Sequence, residues 1–227
     1  MGLRGSAAVV IWSDMPDASA HDDWHSHEHL PERAGIPGFL RSRRYADPSG
    51  APAYFVLYEV RDAGIMTSAP YLERLNNPTE WSRRIMGSVK WLNRTLCKVV
   101  STHGRGAGGH LLTIRLSPTA DSGKSLRDWL ANGILPQLAQ RPGLMAAHLL
   151  VHDATQTRPG TLEQMLRGKP DDSIDWLIVV EGYDPAAVGQ IAASDLSPAM
   201  IASHGGTAPQ INTYRLAHLI EQNDLDA

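Results

Sequence analysis

The stretch Asp23-Trp24-His25-Ser26-His27-Glu28-His29-Leu30-Pro31 has a counterpart 105 residues later, Asp128-Trp129-Leu130-Ala131-Asn132-Gly133-Ile134-Leu135-Pro136. The same register continues without a gap from Pro37-Gly38 to Pro142-Gly143. Self-similarity at a fixed offset is typical of a duplicated structural unit. The sequence therefore predicts two tandem copies of one unit, a first repeat over residues 1–104 and a second over residues 105–227.

The segments around these two stretches follow the same order in both copies. Each copy has an apolar strand, a helix, two further strands, a second helix and a last strand. The expected first-copy strands are 7–12, 39–45, 53–60 and 95–102. The expected helices are a first one that begins near His21 and reaches Leu30, and a second one over 71–93 with a break around Asn76-Asn77-Pro78. This β-α-β-β-α-β order is that of ferredoxin-like domains, an α+β fold with an antiparallel sheet and helices on one face.

Two segments do not belong to the repeated pattern. The glycine-rich residues 104–109 are flexible by composition and read as the linker between the copies. Residues 154–173 show no apolar period and occur in the second copy only, which predicts a long loop or a small flap. The open face of each sheet must be covered, either by the other copy or by a second chain.

Composition excludes several classes of function. The net charge is −3 and no basic face is large enough for a nucleic-acid backbone, so no nucleic-acid partner is expected. The single cysteine, Cys97, excludes an internal disulfide and a cysteine-based metal cluster. No apolar run approaches the ~20 residues of a membrane span, and the first residues lack the features of a signal peptide. We therefore expect a cytoplasmic protein without a membrane partner.

The repeat supplies an internal control for the first helix. In the second copy an aliphatic residue recurs every fourth position, which predicts a face turned toward the sheet: Leu126, Leu130, Ile134 and Leu138. The first copy carries polar residues at the matching positions: His21, His25, His29 and Arg33. Burying such groups costs stability unless they are paired or reached by solvent. The pattern therefore predicts a polar pocket between this helix and its sheet, lined also by Tyr45 and Tyr58.

Other interpretations of these residues remain open. Inward histidines can be satisfied core residues rather than functional ones. His25 and His29 have the spacing of two helical metal ligands, but a third ligand is not evident, so no metal is expected. Pro31 disfavours a helical residue before it, so the helix can end near Leu30 and leave Arg33 off the face. In the second copy, His148 and His152 are interpreted as exposed strand residues.

The segment from Trp24-His25 through His29-Leu30-Pro31, followed by Ile36-Pro37-Gly38-Phe39, resembles EthD-like proteins of the dimeric α/β-barrel superfamily. The resemblance implies two ferredoxin-like sheets packed face to face as a barrel, a small-molecule ligand and a homodimer. It singles out His29 as the functional position, and the second copy departs from the motif with Ile134. Some two-domain relatives bind haem, but the sequence marks no axial histidine, so we expect no cofactor.

These observations favour a cofactor-independent enzyme of the isomerase, cyclase or decarboxylase type, acting on a partly apolar cyclic or aromatic metabolite. His29 and His25 are the expected catalytic residues, since imidazole titrates near neutral pH. The expected substrate-binding residues are His21, Arg33, Tyr45 and Tyr58. The alternative is a barrel protein that binds a small ligand without catalysis.

Overall fold

The structure is a computed structural model that describes residues 2–47, 49–155, 160–168 and 172–225, with the side chains of residues 91 and 92 outside the description. The strands are β1 (Ala7–Asp14), β2 (Phe39–Ala46), β3 (Tyr54–Val60), β4 (Lys90–Gly104), β5 (His110–Pro118), β6 (Leu144–His152), β7 (Trp176–Gly182) and β8 (Gly206–Glu221). The α-helices are α1 (Ala18–Trp24), α2 (Leu30–Ala34), α3 (Ala69–Asn76), α4 (Glu80–Met86), α5 (Gly123–Asp128), α6 (Leu135–Leu138), α7 (Leu162–Leu166), α8 (Pro185–Ile191) and α9 (Pro198–Ser203). Two π-helical turns, His25–His29 and Trp129–Ile134, and two 3-10 turns, Ala63–Thr67 and Gln222–Leu225, complete the elements.

The sheet topology confirms the α+β fold expected from the sequence. Hydrogen bonding joins the strands in the order β1-β3-β2-β8-β5-β7-β6-β4, and this order closes as a barrel. Within the repeated pattern β1 pairs with β3 and β2 pairs with β3, as β5 pairs with β7 and β6 with β7, all antiparallel. The order β4-β1-β3-β2, repeated as β8-β5-β7-β6, is the strand order of two ferredoxin-like units.

The chain divides into two compact units that do not coincide with its two sequence halves. The first unit comprises Arg4–Cys97, Asp153–Ser173 and Ala217–Ala227, and the second comprises Met1–Leu3, Lys98–His152 and Ile174–Leu216. The boundary between the units, between Cys97 and Lys98, therefore falls inside the long strand β4, whereas the sequence places it at residue 104, the last residue of that strand. The inserted residues 153–173, which follow β6 of the second copy in sequence, belong to the first unit and carry the helix α7.

The register assigns side chains of the first unit to the two faces of its sheet. Tyr58 lies opposite Val9 on β1 and opposite Ser42 on β2. Val9 and Tyr58 pack in the apolar cluster that includes Leu30 of α2, so this face carries the helices. Because side chains alternate along a strand, Tyr45, which lies opposite Phe55, points to the other face.

The first helix does not end near Leu30, contrary to the prediction from Pro31. The Leu30 N–H donates to the carbonyl of His25, five residues back, which widens the helix into a π turn. A proline removes one helical donor and crowds the carbonyl four residues earlier, and a wider turn accommodates it. Helix α2 then continues to Ala34. The second unit has the same π turn before Pro136.

The second expected helix of the first copy is broken where the sequence predicted a break. Helix α3 ends at Asn76, and α4 begins at Glu80, with the side chain of Thr79 accepting a hydrogen bond from the Ser82 N–H. The expected end at residue 93 is wrong, because β4 already begins at Lys90. No helix in the described part of the chain is long and apolar enough to cross a membrane.

Candidate active site in the first unit

The polar stripe predicted from the repeat faces inward in the structure. His21, His25, His29 and Arg33 are exposed by 2%, 3%, 5% and 4% respectively. The rings of His21 and His25 are 5.3 Å apart between centroids, and those of His25 and His29 are 5.4 Å apart. Helix α1, the π turn and α2 thus present a column of three imidazoles that ends at Arg33.

Trp24 fixes one side of His29. The two ring centroids are 4.4 Å apart, and Trp24 is fully buried. Its indole Nε1 donates to Glu28 Oε1 at 3.2 Å and lies 3.1 Å from Ser82 Oγ, while Thr79 Oγ1 also donates to Glu28 Oε1, at 2.6 Å. Glu28 therefore ties the π turn to helix α4 and holds the indole that packs on His29.

A small cavity lies beside His29 on the helical face of the sheet. It offers about 30 Å³ of free space, on the scale of one or two water molecules. Its walls combine apolar and aromatic side chains with several charged ones: Val9, Ile11, His29, Arg33, Phe39, Tyr58, Tyr71, Leu75, Met86, Arg94, Glu163 and Arg167. The predicted residues His29, Arg33 and Tyr58 therefore meet at one place.

Glu163 of α7 forms a buried ion pair with Arg33 in this cavity. Arg33 Nη2 donates to Glu163 Oε1, and the two side chains are each only 4% exposed. The carboxylate therefore compensates the guanidinium charge where water has little access. No sequence pattern marks Glu163, because it lies in the inserted segment and 130 positions from its partner.

Three polar atoms around the cavity are buried without a hydrogen-bond partner among the described residues. They are His29 Nδ1, Arg33 Nη1 and Tyr58 Oη. A buried polar group without a partner costs roughly 1–3 kcal/mol, and native proteins satisfy nearly all such groups. A cluster of three around one cavity therefore indicates groups that await a ligand or water.

The electrostatics keep His29 uncharged in this state. Burial, the Arg33 charge and more distant positive groups lower the pKa of His29 well below its usual value of 6.5. Burial and the neighbouring His21 likewise lower the pKa of His25. Burial raises the pKa of the Tyr58 hydroxyl, so this group remains a hydrogen-bond donor. The site thus presents a neutral imidazole, a phenol and a guanidinium.

Two of the predicted substrate-binding residues lie away from the cavity. His21 packs on Tyr54, with ring centroids 4.3 Å apart, and its Nδ1 is 3.3 Å from the Asp22 carboxylate at the far end of the column. Tyr45 lies on the opposite face of the sheet, where its hydroxyl accepts a hydrogen bond from Arg43 at 2.7 Å. The sequence assigns both Tyr45 and Tyr58 to sheet strands, but it does not establish which face of the sheet each side chain occupies. Tyr71, Arg94 and Arg167 take part in the cavity instead.

The second unit has an apolar core at the matching positions. Leu126, Leu130 and Leu138 are fully buried, while Ile134 is half-buried and packs against the same cluster. His148 departs from the expected exposed strand position. It is fully buried, with its Nε2 3.3 Å from Glu181 Oε1 and its Nδ1 2.9 Å from Thr102 Oγ1.

Among the residues that the structure describes, no group of three or more histidine, cysteine, aspartate or glutamate side chains is arranged to hold a metal ion. His25 and His29, which have the helical spacing of two ligands, therefore lack a third ligand within the described chain.

Comparison with known proteins identifies the fold. An anthrone oxidase-like protein superposes with a TM-score of 0.63 at 15% identity, covering 96% of this chain and 94% of its own. A protein from Fusobacterium nucleatum subsp. nucleatum ATCC 25586, proposed to be a monooxygenase, has a TM-score of 0.62 at 6% identity and covers 96% of each chain. A Lactobacillus acidophilus NCFM protein, also proposed to be a monooxygenase, has a TM-score of 0.58 at 10% identity, with 96% and 97% covered.

These likenesses extend over nearly the whole of each chain. No protein-family model matches the sequence, and no curated protein matches it. Identities of 6–15% establish shared architecture and not shared chemistry. This chain therefore has the two-unit ferredoxin-like α/β-barrel fold of these proteins.

Proposed function

We propose that this protein is an EthD-like, cofactor-independent enzyme that moves a proton on a partly apolar cyclic or aromatic metabolite, as an isomerase, cyclase or decarboxylase does. The observation that carries the proposal is the set of three buried, unpartnered polar atoms around one cavity, His29 Nδ1, Arg33 Nη1 and Tyr58 Oη. Buried polar groups are normally satisfied by the protein or by ordered water, so three unpartnered groups around one cavity suit a polar ligand. The aromatic walls Phe39 and Tyr71 suit a planar ring.

In this proposal His29 is the general base and acid. A neutral imidazole accepts a proton from a carbon next to a carbonyl and returns it at another position. Its low pKa makes His29 a weak base, but an anionic ligand beside it stabilises the imidazolium and raises that pKa toward neutrality. The ligand thus activates its own base.

Tyr58 and Arg33 have complementary roles in the same proposal. The Tyr58 hydroxyl donates to an oxygen on which negative charge develops, a role for which a buried donor is effective. The guanidinium of Arg33 holds the ligand's anionic group and fixes its orientation. His25 lies one ring behind His29 and orients it, or relays its proton toward His21.

A binding protein without catalysis is the second candidate. The strongly lowered pKa of His29 favours it, because a weak base transfers protons slowly. The two candidates differ in whether a bound carbon acid exchanges its hydrogen with solvent.

The test is deuterium incorporation into a panel of cyclic and aromatic carbonyl acids incubated with the protein in D₂O, followed by mass spectrometry. An enzyme of the proposed class labels at least one compound, and His29→Ala abolishes the labelling. Ile134→Ala, at the matching position of the second unit, is the control and should label normally. Binding of a compound without labelling supports the second candidate.

The proposal also includes a cytoplasmic homodimer. Both features come from the sequence resemblance and composition. Light scattering on the purified protein tests the dimer, which a monomer mass of about 24.7 kDa would contradict. Fractionation of the source cells tests the location.

A further inference from the structure

We infer that Glu163 stands where the carboxylate of the natural ligand binds, so that the ligand is a carboxylic acid that displaces Glu163 from Arg33. This inference rests on the proposed function, since it names the ligand class and the regulation of the same site. It assigns to the inserted segment 160–168 the role of an internal competitor.

The Glu163–Arg33 ion pair leaves part of the Arg33 guanidinium unpaired among the described residues. Glu163 reaches Arg33 from α7, and the pair is buried among cavity walls. Arg33 Nη2 is engaged, whereas Nη1 has no partner among the described residues. A guanidinium binds a carboxylate best through two parallel hydrogen bonds. The Glu163 carboxylate therefore leaves part of the Arg33 recognition edge unused, and a free ligand can satisfy it more fully.

The inserted segment also limits the volume of the cavity beside His29. The cavity beside His29 offers about 30 Å³, far less than an aromatic acid requires. A second cavity of similar size lies next to it, and Thr161 and Gln164 of the inserted segment line it. The two cavities share Tyr71, Leu75, Arg94 and Arg167 as walls. Withdrawal of α7 would join them into one pocket, so the segment that pairs with Arg33 also limits the volume of the site.

Few buried apolar contacts attach helix α7 to the rest of the first unit. Helix α7 has five residues, and Leu162 and Met165 are exposed by 36% and 67%, while Leu166 packs, only partly buried, against the apolar cluster around Trp24. The Leu162 N–H donates to Asn76 Oδ1 at 3.3 Å, a long hydrogen bond. Elements with few buried apolar contacts open at lower free energy than the core. The burial of Glu163 against Arg33 is thus a main anchor of α7.

Charge decides which ligand can displace Glu163. Removing the carboxylate and placing a neutral molecule in the pocket would leave Arg33 buried without a compensating charge, which is strongly unfavourable. A ligand carboxylate keeps Arg33 paired, while Glu163 moves into water, where it is well solvated. The site therefore selects an anionic acid over its neutral analogues.

Calorimetric titration of benzoate and of its neutral analogue benzamide tests the inference. Glu163→Gln removes the competing charge, so we expect it to bind benzoate at least about tenfold tighter than the unmodified protein. Benzamide affinity should change by less than about twofold, since it carries no charge for Arg33. Glu32→Gln makes the same chemical change on α2 outside the cavity walls and should behave as the unmodified protein. Equal benzoate affinities in Glu163→Gln and the unmodified protein, or an equal gain for benzamide, would overturn the inference.

A second measurement does not require the variant to fold. The methyl resonance of Met165, assigned through Met165→Leu, reports on α7 in the unmodified protein. We expect it to shift as benzoate is added to millimolar concentration, while Met200 of the second unit remains unchanged. A Met165 resonance that does not move up to the highest soluble benzoate concentration would show that no carboxylate displaces the segment, and the inference would fail.

The two proposals fail in distinguishable ways. If His29-dependent deuterium labelling occurs but Glu163→Gln leaves carboxylate affinity unchanged, the proposed function stands and the competitor role is wrong. If Glu163→Gln tightens benzoate binding but no compound is labelled, the ligand class stands and the protein is a binder.

Discussion

Replacing His25 by Leu and His29 by Ile would give the first unit the residues that the second unit carries at the same register, Leu130 and Ile134. Each histidine in the unmodified protein buries an Nδ1 without a partner among the described residues, and such a group costs about 1–3 kcal/mol. Imperfect packing of the new side chains lowers the free energy of unfolding by about 1–3 kcal/mol and offsets part of this gain. At pH 7 we therefore expect the free energy of unfolding to stay equal or to rise by about 1–3 kcal/mol.

The pH dependence of stability provides a second test. Both histidines have a folded-state pKa well below 6.5, so only the unfolded chain gains their protons between that value and 6.5. The stability they contribute is present above pH 6.5 and is lost as the pH falls toward the folded-state pKa. Between pH 7 and pH 5.5 the linkage relation gives a loss on the order of 1 kcal/mol for each histidine, and about 2–3 kcal/mol for both. The double variant should lose about 2–3 kcal/mol less than the unmodified protein over this interval.

Urea unfolding followed by tryptophan fluorescence at pH 7 and pH 5.5 measures both effects. The matched control is Leu130→His with Ile134→His, which puts two imidazoles into the apolar core of the second unit and should cost several kcal/mol, on the order of 3 or more. The reasoning is refuted if the histidine-to-aliphatic swap lowers stability at pH 7 by more than about 2 kcal/mol, since the histidines would then be satisfied core residues. An unchanged pH dependence would refute it equally.

Three further outcomes are expected. Leu130→Ala should lower the free energy of unfolding in urea by about 2–5 kcal/mol, because Leu130 is fully buried in the core of the second unit. His29→Ala should lower it by less than about 1 kcal/mol, because His29 borders a polar cavity. Similar losses of stability in the two variants would argue against a pocket. Tyr58→Phe should change the free energy of unfolding by less than about 0.5 kcal/mol, since the Tyr58 hydroxyl has no partner among the described residues. The same variant should weaken ligand binding, measured by calorimetry, about fivefold or more. An unchanged affinity would show that Tyr58 does not bind the ligand. Glu28→Gln should lower stability by about 1–2 kcal/mol and change Trp24 fluorescence, and an unchanged emission spectrum would contradict the role of Glu28 in holding the indole.

The sequence alone determined the repeated unit and the direction of its first helix. The two copies align without a gap around Trp24 and Trp129. The alignment pairs each residue of the first helix with the residue that occupies the same structural position in the second copy. Since Leu130 is an inward residue by helical periodicity, His25 had to be inward as well. The α+β fold, the two ferredoxin-like units and the burial of the histidine column all follow from this short-range information.

Only the tertiary structure decided which other groups join His29. Arg33 reaches the cavity because a π turn before Pro31 lets the helix continue to Ala34. The helix-breaking tendency of proline does not by itself predict this adjustment. Tyr45 and Tyr58 were assigned together, but alternation along the strands places them on opposite faces of the sheet. The position of a side chain relative to its sheet depends on the register, which a β-bulge in β2 shifts between Phe39 and Arg41.

The inserted segment shows most clearly where sequence reasoning ends. Nothing in the composition of residues 154–173 marks Glu163, and the segment follows a strand of the second copy. In the structure it belongs to the first unit and delivers a buried carboxylate to Arg33. Periodicity describes contacts a few residues apart, whereas this ion pair forms between groups 130 positions apart. Its formation depends on the path of the folded chain and on the free energy of placing two opposite charges together in a site with little access to water.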